Sequence, residues 1–118
     1  MAKPVGPYTP IVRAGDWLVV SGQVGIVDGQ LVGGGLEGEL RQAIANLQGL
    51  LAGEGATLGD VTKTTVFLRH LGGDYARMNE VYVELFGDHR PARSAVGVAE
   101  LPLGALVEVE AWAHTGAR

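Results

Sequence analysis

Cysteine is absent from this sequence of 118 residues, and lysine and asparagine each occur only twice. The absence of thiols excludes disulfide bonds, thiolate zinc sites and a cysteine nucleophile. Arginine and lysine together number 9 against 13 acidic residues, which gives a net charge of −4 without a cluster of basic side chains. Because the phosphates of a nucleic acid favour a basic stripe, we expect no nucleic-acid partner.

Long apolar runs are also missing. The apolar segments are far shorter than the ~20 residues that a membrane-spanning helix needs, and the N-terminal stretch MAKPVGPYTP lacks the apolar core of a secretory signal. Hydrophobic residues nevertheless make up 47% of the chain and charged residues 19%, which is typical of a folded protein. We therefore expect one domain covering residues 1–118, in the cytoplasm and without a membrane partner.

Metal and phosphate sites lack their usual patterns here. The histidines, His70, His89 and His114, do not have the spacing of metal ligands, so no metal site is predicted. The run Gly33-Gly34-Gly35 precedes a helical pattern, but it has neither the GxGxxG spacing nor the following Lys-Ser/Thr of a phosphate-binding loop. A flexible loop is the simpler interpretation.

The apolar pattern predicts strands interrupted by two helices. Strands are predicted at Trp17–Val20, Val24–Val27, Gln30–Val32 and Asp60–His70, with a hairpin turn at Asp28-Gly29. A first helix follows from the helical spacing of Leu36, Leu40, Ile44, Leu47 and Leu51. A second helix is predicted from Asp74 as its N-cap, with Tyr75, Met78, Tyr82, Leu85 and Phe86 on one face. This order favours an α+β fold with both helices on one face of a single sheet.

The other face of that sheet has no predicted cover. Along Asp60–His70, one side carries Val61, Lys63, Thr65 and Phe67, and the other carries Thr62, Thr64, Val66 and Leu68. Neither side is strongly polar. A half-apolar sheet face of this kind is usually buried against another subunit, so we expect a homo-oligomer.

Two further strands are predicted within RPARSAVGVAELPLGALVEVEAWA, residues 90–113. Alternation puts Val107, Val109, Ala111 and Ala113 toward the helices and Glu108, Glu110, Trp112 and His114 on the opposite side. If Leu101–Gly104 is a tight hairpin turn, the strands pair Gly97 with Glu108, Ala95 with Glu110 and Arg93 with Trp112. Arg93, small residues and both glutamates would then share one face.

Such a face has two interpretations. A guanidinium beside a recess binds a small carboxylate in bidentate fashion, and a nearby glutamate can activate water or move a proton. Alternatively, the arginine and a glutamate form an ordinary cross-strand ion pair that only stabilises the sheet. The pattern alone leaves both open.

Several motifs, read together and in order, resemble one family. They are Gly6-Pro7-Tyr8, Ser21-Gly22-Gln23, Asp60-Val61 with the stretch KTTVFL, Asn79 with Tyr82, Pro91-Ala92-Arg93-Ser94, and the stretch VEVEA. This sequence is similar to the RidA (YjgF-type) deaminases over nearly its whole length. The resemblance implies a chorismate-mutase-like α+β fold, a homotrimer with clefts between subunits, and hydrolysis of 2-imino and 2-enamino acids without a metal or organic cofactor.

The resemblance also implies roles for single residues. Arg93 would hold the substrate carboxylate, Glu108 would position or activate water, and Tyr8, Ser21 and Asn79 would line the cleft. Each lining residue has a structural alternative, namely cover for a core edge, a turn and a local cap, and the two glutamates of VEVE could exchange roles. Ala95 stands where many of the deaminases have a cysteine, so a role of this position through its backbone would survive and a role of a thiol would not.

The expected function is hydrolysis of reactive imines and enamines, such as 2-iminopropionate and 2-aminoacrylate, to 2-keto acids and ammonia. A binding module of the same fold that holds small carboxylates such as 2-keto acids without turnover is the alternative. An RNA-directed activity, sometimes ascribed to relatives, is disfavoured by the acidic net charge.

Overall fold

The computed structural model describes residues 6–116, which form seven strands and two α-helices. The strands are β1 (Ile11–Ala14), β2 (Trp17–Gln23), β3 (Ile26–Val27), β4 (Gln30–Leu31), β5 (Val61–Leu68), β6 (Ala92–Gly97) and β7 (Val107–His114), and the helices are α1 (Gly35–Gly53) and α2 (Leu71–Phe86). Five strands form one sheet in the order β1-β2-β7-β5-β6, in which only β5 and β6 are parallel. The α+β prediction is confirmed.

Both helices pack on the same face of the five-stranded sheet. Helix α1 lies against β2 and β7, helix α2 lies against β5 and β6, and the helices contact each other. The core between them contains the predicted leucine stripe of α1 and the predicted inward residues of β7, including Leu40, Leu47, Val107, Val109 and Ala111. Buried and less buried residues alternate along β2 and β7, because the helices cover only one face of the sheet.

The predicted hairpin at Asp28-Gly29 is confirmed. Strands β3 and β4 pair across this turn, and Asp28 and Gly29 have φ angles of 52° and 80°, as the favoured two-residue hairpin turn requires. Strand β1 was not predicted, because IVRA is too short to show a pattern. It pairs with β2 across a turn that contains Gly15.

Helix α2 begins at Leu71 rather than after Asp74, so the prediction of its start is wrong. The helix already includes the two glycines before Asp74, and the amide of Asp74 donates to the carbonyl of His70 over 2.9 Å. His70, the N-cap residue, contributes no side-chain cap. The additional turn brings Leu71 close to strand β6, where a Cβ atom on Gly97 would lie 3.1 Å from Leu71 Cβ.

The prediction for strand β5 needs one correction. Lys63, Thr65 and Phe67 share one face, as predicted, and this is the uncovered one. At the start of the strand, however, Val61 is buried in the core and pairs with Ala113, and Thr62 is exposed instead of sharing the buried side. The pairing with β7 is irregular between Val61 and Lys63, and this irregularity moves Val61 to the helix side.

The predicted hairpin between β6 and β7 is wrong, because β5 lies between these strands. Helix α2 is a crossover that returns the chain parallel to β5 at the sheet edge, and the connection after Gly97 then carries the chain to the other side of β5. Leu101 does accept a turn hydrogen bond from the amide of Gly104 over 3.1 Å, but this turn joins no hairpin.

The uncovered sheet face exposes large apolar side chains. Val12, Trp17 and Trp112 are 47%, 37% and 45% exposed, and Val96 on the edge strand is 39% exposed. The two tryptophan rings meet edge to face with their centroids 6.2 Å apart. Water contact of such side chains is unfavourable, so this face has the character of a surface that another chain covers. Within residues 6–116, no helix is long and apolar enough to cross a membrane.

Candidate active site

Arg93 is held on the helix side of edge strand β6. Its direct partner on β5 is Thr64, which is buried beneath the helices. The guanidinium carbon lies 4.9 Å from the centre of the Tyr82 ring and 5.7 Å from that of Tyr75. Nη2 donates to the Tyr75 hydroxyl over 3.3 Å, and Nη1 approaches the sulfur of Met78 at 3.5 Å.

This arginine has no acidic partner in the described part of the chain, since no carboxylate there lies within 4.0 Å of it. Aromatic faces attract a cation but do not neutralise its charge. Arg13, Arg41 and Arg77 each form an ion pair with a glutamate, and the two other described arginines without one, Arg69 and Arg90, are exposed on the surface. Arg93 is therefore a half-buried cation whose guanidinium fork remains available to an anion.

A cavity of about 480 Å³ lies beside this guanidinium. Its lining is formed by the first turn of α2, with Leu71, Gly72 and Tyr75, and by Arg93 and Ala95 on β6. Ala95 follows Arg93 on the same strand face and presents only a methyl group. A small carboxylate with an apolar substituent fits this combination of one cation and mainly apolar walls.

Glu108 lies on β7 and points to the uncovered sheet face, opposite Phe67. Its carboxylate lies close to Gly22. A Cβ atom added to Gly22 would be only 2.6 Å from Glu108 Cδ. Burial raises the pKa of Glu108, and the neighbouring charge of Glu110 raises this pKa further. Glu108 thus holds a proton more readily than a solvated glutamate, as suits a group that exchanges protons with water or substrate.

Arg93 and Glu108 point to opposite faces of the sheet, so the prediction that one face carries both is wrong. Directly paired side chains of neighbouring strands lie on the same face. Thr64 pairs with Arg93 on one side and with buried Ala111 on the other, whereas Phe67 pairs with Glu108. Thr64 and Phe67 are three residues apart on the same strand and therefore face opposite ways. The cross-strand ion pair between Arg93 and a glutamate is excluded by the same register.

The other predicted site residues divide between these regions. Ala95 lines the cavity beside Arg93. The Ser21 hydroxyl donates to the carbonyl of Pro10 over 3.1 Å, so its contact in the described chain is structural. Tyr8 precedes β1 and is 43% exposed. Oδ1 of Asn79 is buried and accepts no hydrogen bond from residues 6–116, and Asn79 is not among the residues that line the cavity.

Helical spacing predicts that Tyr75, Tyr82 and Met78 share one helix face, but it does not reveal their contact with Arg93. Gly22 was likewise noted only as part of a motif. The order β5-α2-β6 could have revealed the contact of the α2 residues with Arg93, because a crossover helix covers the parallel strands that it connects. No group of three or more histidine, aspartate and glutamate side chains among the described residues could hold a metal ion.

Comparisons with known proteins agree on one family. The sequence model described as Endoribonuclease L-PSP matches residues 1–115. A RutC family protein of Pyrococcus horikoshii is 43% identical over 95% of this chain and 90% of its own length. The mouse 2-iminobutanoate/2-iminopropanoate deaminase is 42% identical over 95% of this chain and 84% of its own length. The crystal structure of RidA from an Antarctic Psychrobacter superposes with a TM-score of 0.90 at 35% identity, covering 95% of this chain and 91% of that one.

Proposed function

The chain belongs to the RidA (YjgF-type) family, and we propose from this premise that it hydrolyses 2-imino and 2-enamino acids to 2-keto acids and ammonia. The proposed substrates are of the class of 2-iminopropionate and its tautomer 2-aminoacrylate. The observation that carries the proposal is Arg93, a half-buried cation beside a cavity and without an acidic partner among the described residues. Relatives with about 40% identity and an imine deaminase name support the reaction type.

Arg93 would bind the substrate carboxylate through two parallel hydrogen bonds from its guanidinium fork. This grip fixes the 2-carbon of the imine at a constant distance from the cavity walls. Ala95 leaves room there for the substituent on that carbon. Positioning of this kind lowers the entropic cost of the attack by water.

Glu108 would act as the proton carrier, and for this the site must be shared between two copies of the chain. Within one chain the sheet separates Glu108 from Arg93. Arg93 lies on the edge strand, and the face that carries Glu108 is the uncovered apolar face. We propose a homotrimer in which the edge of each copy meets the uncovered face of the next, so that Arg93 of one copy and Glu108 of another line one cleft.

The chemistry then needs only water and the two charged groups. As water attacks the carbon of the protonated imine, the Glu108 carboxylate accepts a proton from it, and a tetrahedral carbinolamine forms. Return of this proton to the nitrogen lets ammonia leave with the electrons of the C–N bond, and the hydroxyl proton is lost as the 2-keto acid forms. These imines already hydrolyse in water, so general acid–base assistance of about 10²–10⁴-fold is sufficient.

A binding module for 2-keto acids remains the second candidate, favoured by one observation. The residues that line the cavity beside Arg93 all belong to one chain, whereas Glu108 is not among them. Such a module would bind pyruvate but release no ammonia. We do not propose a nuclease, because a net charge of −4 without a cluster of basic residues in the sequence disfavours binding to a phosphate backbone.

The deaminase proposal is tested with 2-iminopropionate generated in situ from alanine by an amino-acid oxidase. Semicarbazide traps the imine that survives, so an active protein lowers the amount of trapped product. We expect wild type to lower it and Arg93→Ala to have no effect, with the melting temperature little changed because no ion pair is lost.

Arg13→Ala is the matched control. Arg13 lies on β1, away from the cavity, and forms an ion pair with Glu54 at 3.3 Å. This variant should retain the activity of wild type. Equal activity of Arg93→Ala and wild type would refute the assignment. A wild type that binds pyruvate but leaves the trapped imine unchanged would favour the binding module.

A further inference from the structure

The hydroxyl of Tyr75 lies where α2 borders the cavity. The Tyr75 side chain is 42% exposed, and its hydroxyl oxygen accepts a hydrogen bond from Arg93 Nη2 over 3.3 Å. Its ring faces the guanidinium carbon at 5.7 Å. Within residues 6–116, this hydroxyl is the only oxygen that receives a hydrogen bond from the Arg93 side chain; the other contact is to the Met78 sulfur.

Tyr82 also faces Arg93 but has a different hydroxyl environment. Tyr82 is 4% exposed, and its hydroxyl lies 2.7 Å from Thr64 Oγ1 inside the core. Burial raises the pKa of this phenol. The Tyr82 hydroxyl is therefore engaged with the core, whereas the Tyr75 hydroxyl contacts the guanidinium itself at the cavity.

We propose that Tyr75 is a positioning residue that fixes the orientation of the Arg93 guanidinium and thereby sets the affinity of the cavity for a carboxylate. The proposal deepens the function proposed above and rests on it, because it takes Arg93 as the carboxylate anchor. An arginine has many rotamers, and ordering it on binding costs affinity. A guanidinium held by one hydroxyl and two rings before the ligand arrives has already lost this freedom, and its remaining N–H groups can face the carboxylate.

Tyr75→Phe tests this role, because it removes the hydroxyl and keeps the ring against the guanidinium. Titration with pyruvate by calorimetry should give a Kd roughly three- to tenfold weaker than that of wild type, the range expected for one lost hydrogen bond. In the imine assay, KM should rise by a similar factor while kcat stays within about twofold, because substrate binding rather than the chemical step is affected.

A double-mutant cycle shows whether Tyr75 acts through Arg93. Lysine at position 93 keeps the charge but loses the planar fork that the tyrosine orients. On the Arg93→Lys background, Tyr75→Phe should therefore leave the pyruvate Kd unchanged, in contrast to its effect on wild type. A role of the tyrosine in direct ligand contact would weaken both backgrounds equally.

Tyr82→Phe is the matched loss of a phenol hydroxyl. It should lower the melting temperature, because it leaves the buried Thr64 hydroxyl without its partner, whereas Tyr75→Phe should melt as wild type does. Glu80→Gln, an exposed change on the same helix, should leave pyruvate affinity unaltered.

An unchanged pyruvate Kd in Tyr75→Phe, or an equal loss on both backgrounds, would overturn the proposal. Failure of the proposed function has a different signature. If pyruvate binding depends on Tyr75 but wild type hydrolyses no imine, the deaminase fails and the positioning role stands. If wild type hydrolyses imines and Tyr75→Phe matches it in KM and in pyruvate affinity, only the positioning role fails. If wild type binds no pyruvate, the carboxylate anchor and the positioning role both fail.

Discussion

At the scale of single residues, the proposed reaction depends on the charge of Arg93 and on the proton affinity of Glu108. Arg93 lies against aromatic rings instead of a carboxylate, which keeps its fork available to an anionic ligand. Glu108 lies in a partly desolvated position beside Glu110, which raises its pKa. The first group suits binding and the second suits proton transfer.

The raised pKa of Glu108 predicts a pH dependence of the reaction. A base must be deprotonated, so kcat/KM should fall as the pH drops through a pKa above the ordinary value of a glutamate. Glu108→Gln should lower kcat by about 10²–10⁴-fold and remove this limb of the profile. The measurement is imine hydrolysis by both proteins from pH 5 to 8, roughly the range in which the protein is expected to stay folded. An unaltered rate or limb in the variant would assign the proton transfer elsewhere.

The same variant should melt at a higher temperature than wild type near neutral pH. A carboxyl whose pKa is raised on folding binds its proton more tightly in the folded state, so folding loses stability as the pH rises through the folded pKa. The amide of glutamine has no such loss. The difference in melting temperature should vanish below about pH 4, where the carboxyl is protonated in both states.

At the scale of elements, strand β2 positions the carboxylate of Glu108 on β7. The two strands pair regularly up to Val20 and resume at Gln23, and in this irregular stretch Gly22 approaches the glutamate. A side chain on Gly22 would lie within 3 Å of three atoms of that carboxylate arm. The fold should tolerate a methyl group at position 22, because only the end of the Glu108 side chain has to move. The carboxylate of Glu108 would then be displaced from its present position.

Gly22→Ala should therefore lower kcat by between about tenfold and a hundredfold with little loss of stability. Gly49→Ala is its control, since Gly49 lies in α1 with no atom near its Cβ position. That change should keep the activity and stabilise the protein by about 0.4–1 kcal/mol. Steady-state kinetics and thermal melts of the two variants test both expectations, and a wild-type rate in Gly22→Ala would contradict the assigned role of Gly22.

The elements also show what the sequence could predict. Periodicity identified α1 and the inward face of β7, and the Asp28-Gly29 turn signal identified the β3–β4 hairpin, because these features depend on neighbours along the chain. It failed at the pairing of β6 with β7, since Leu101–Gly104 forms a real turn whose local signal resembles that of a hairpin. Strand pairing depends on which elements the helix α2 connects, which is a non-local property.

The sequence suggests residues for the candidate site, but the arrangement it predicts for Arg93 and Glu108 is wrong. The family motifs pointed to Arg93 and Glu108, and Ala95 does lie beside Arg93. Which sheet face carries Arg93 and which carries Glu108 depends on how β6 and β7 pair with β5. Alternation of side chains within one strand does not reveal this pairing. Tyr75 was assigned to a core stripe because a tyrosine that packs on the core and one that packs on an arginine have the same helical spacing.

At the scale of the whole molecule, the uncovered sheet face and the split site lead to the same proposal. The face exposes Val12, Trp17 and Trp112, which a second copy would cover. A second copy is also what would bring a glutamate to the cavity of Arg93. The proposed trimer thus removes apolar surface from water and completes the site in one step.

Subunit mixing tests this claim most directly. Arg93→Ala and Glu108→Gln are each expected to be inactive alone, and each trimer that contains both variants should regain one of its three sites, or about one third of the wild-type activity, if each site takes its arginine and its glutamate from different copies. The chains carry different tags, are mixed by co-expression, and the doubly tagged oligomers are assayed for imine hydrolysis. Activity near that fraction is the predicted result. Mixed oligomers no more active than the separate variants would contradict the shared site.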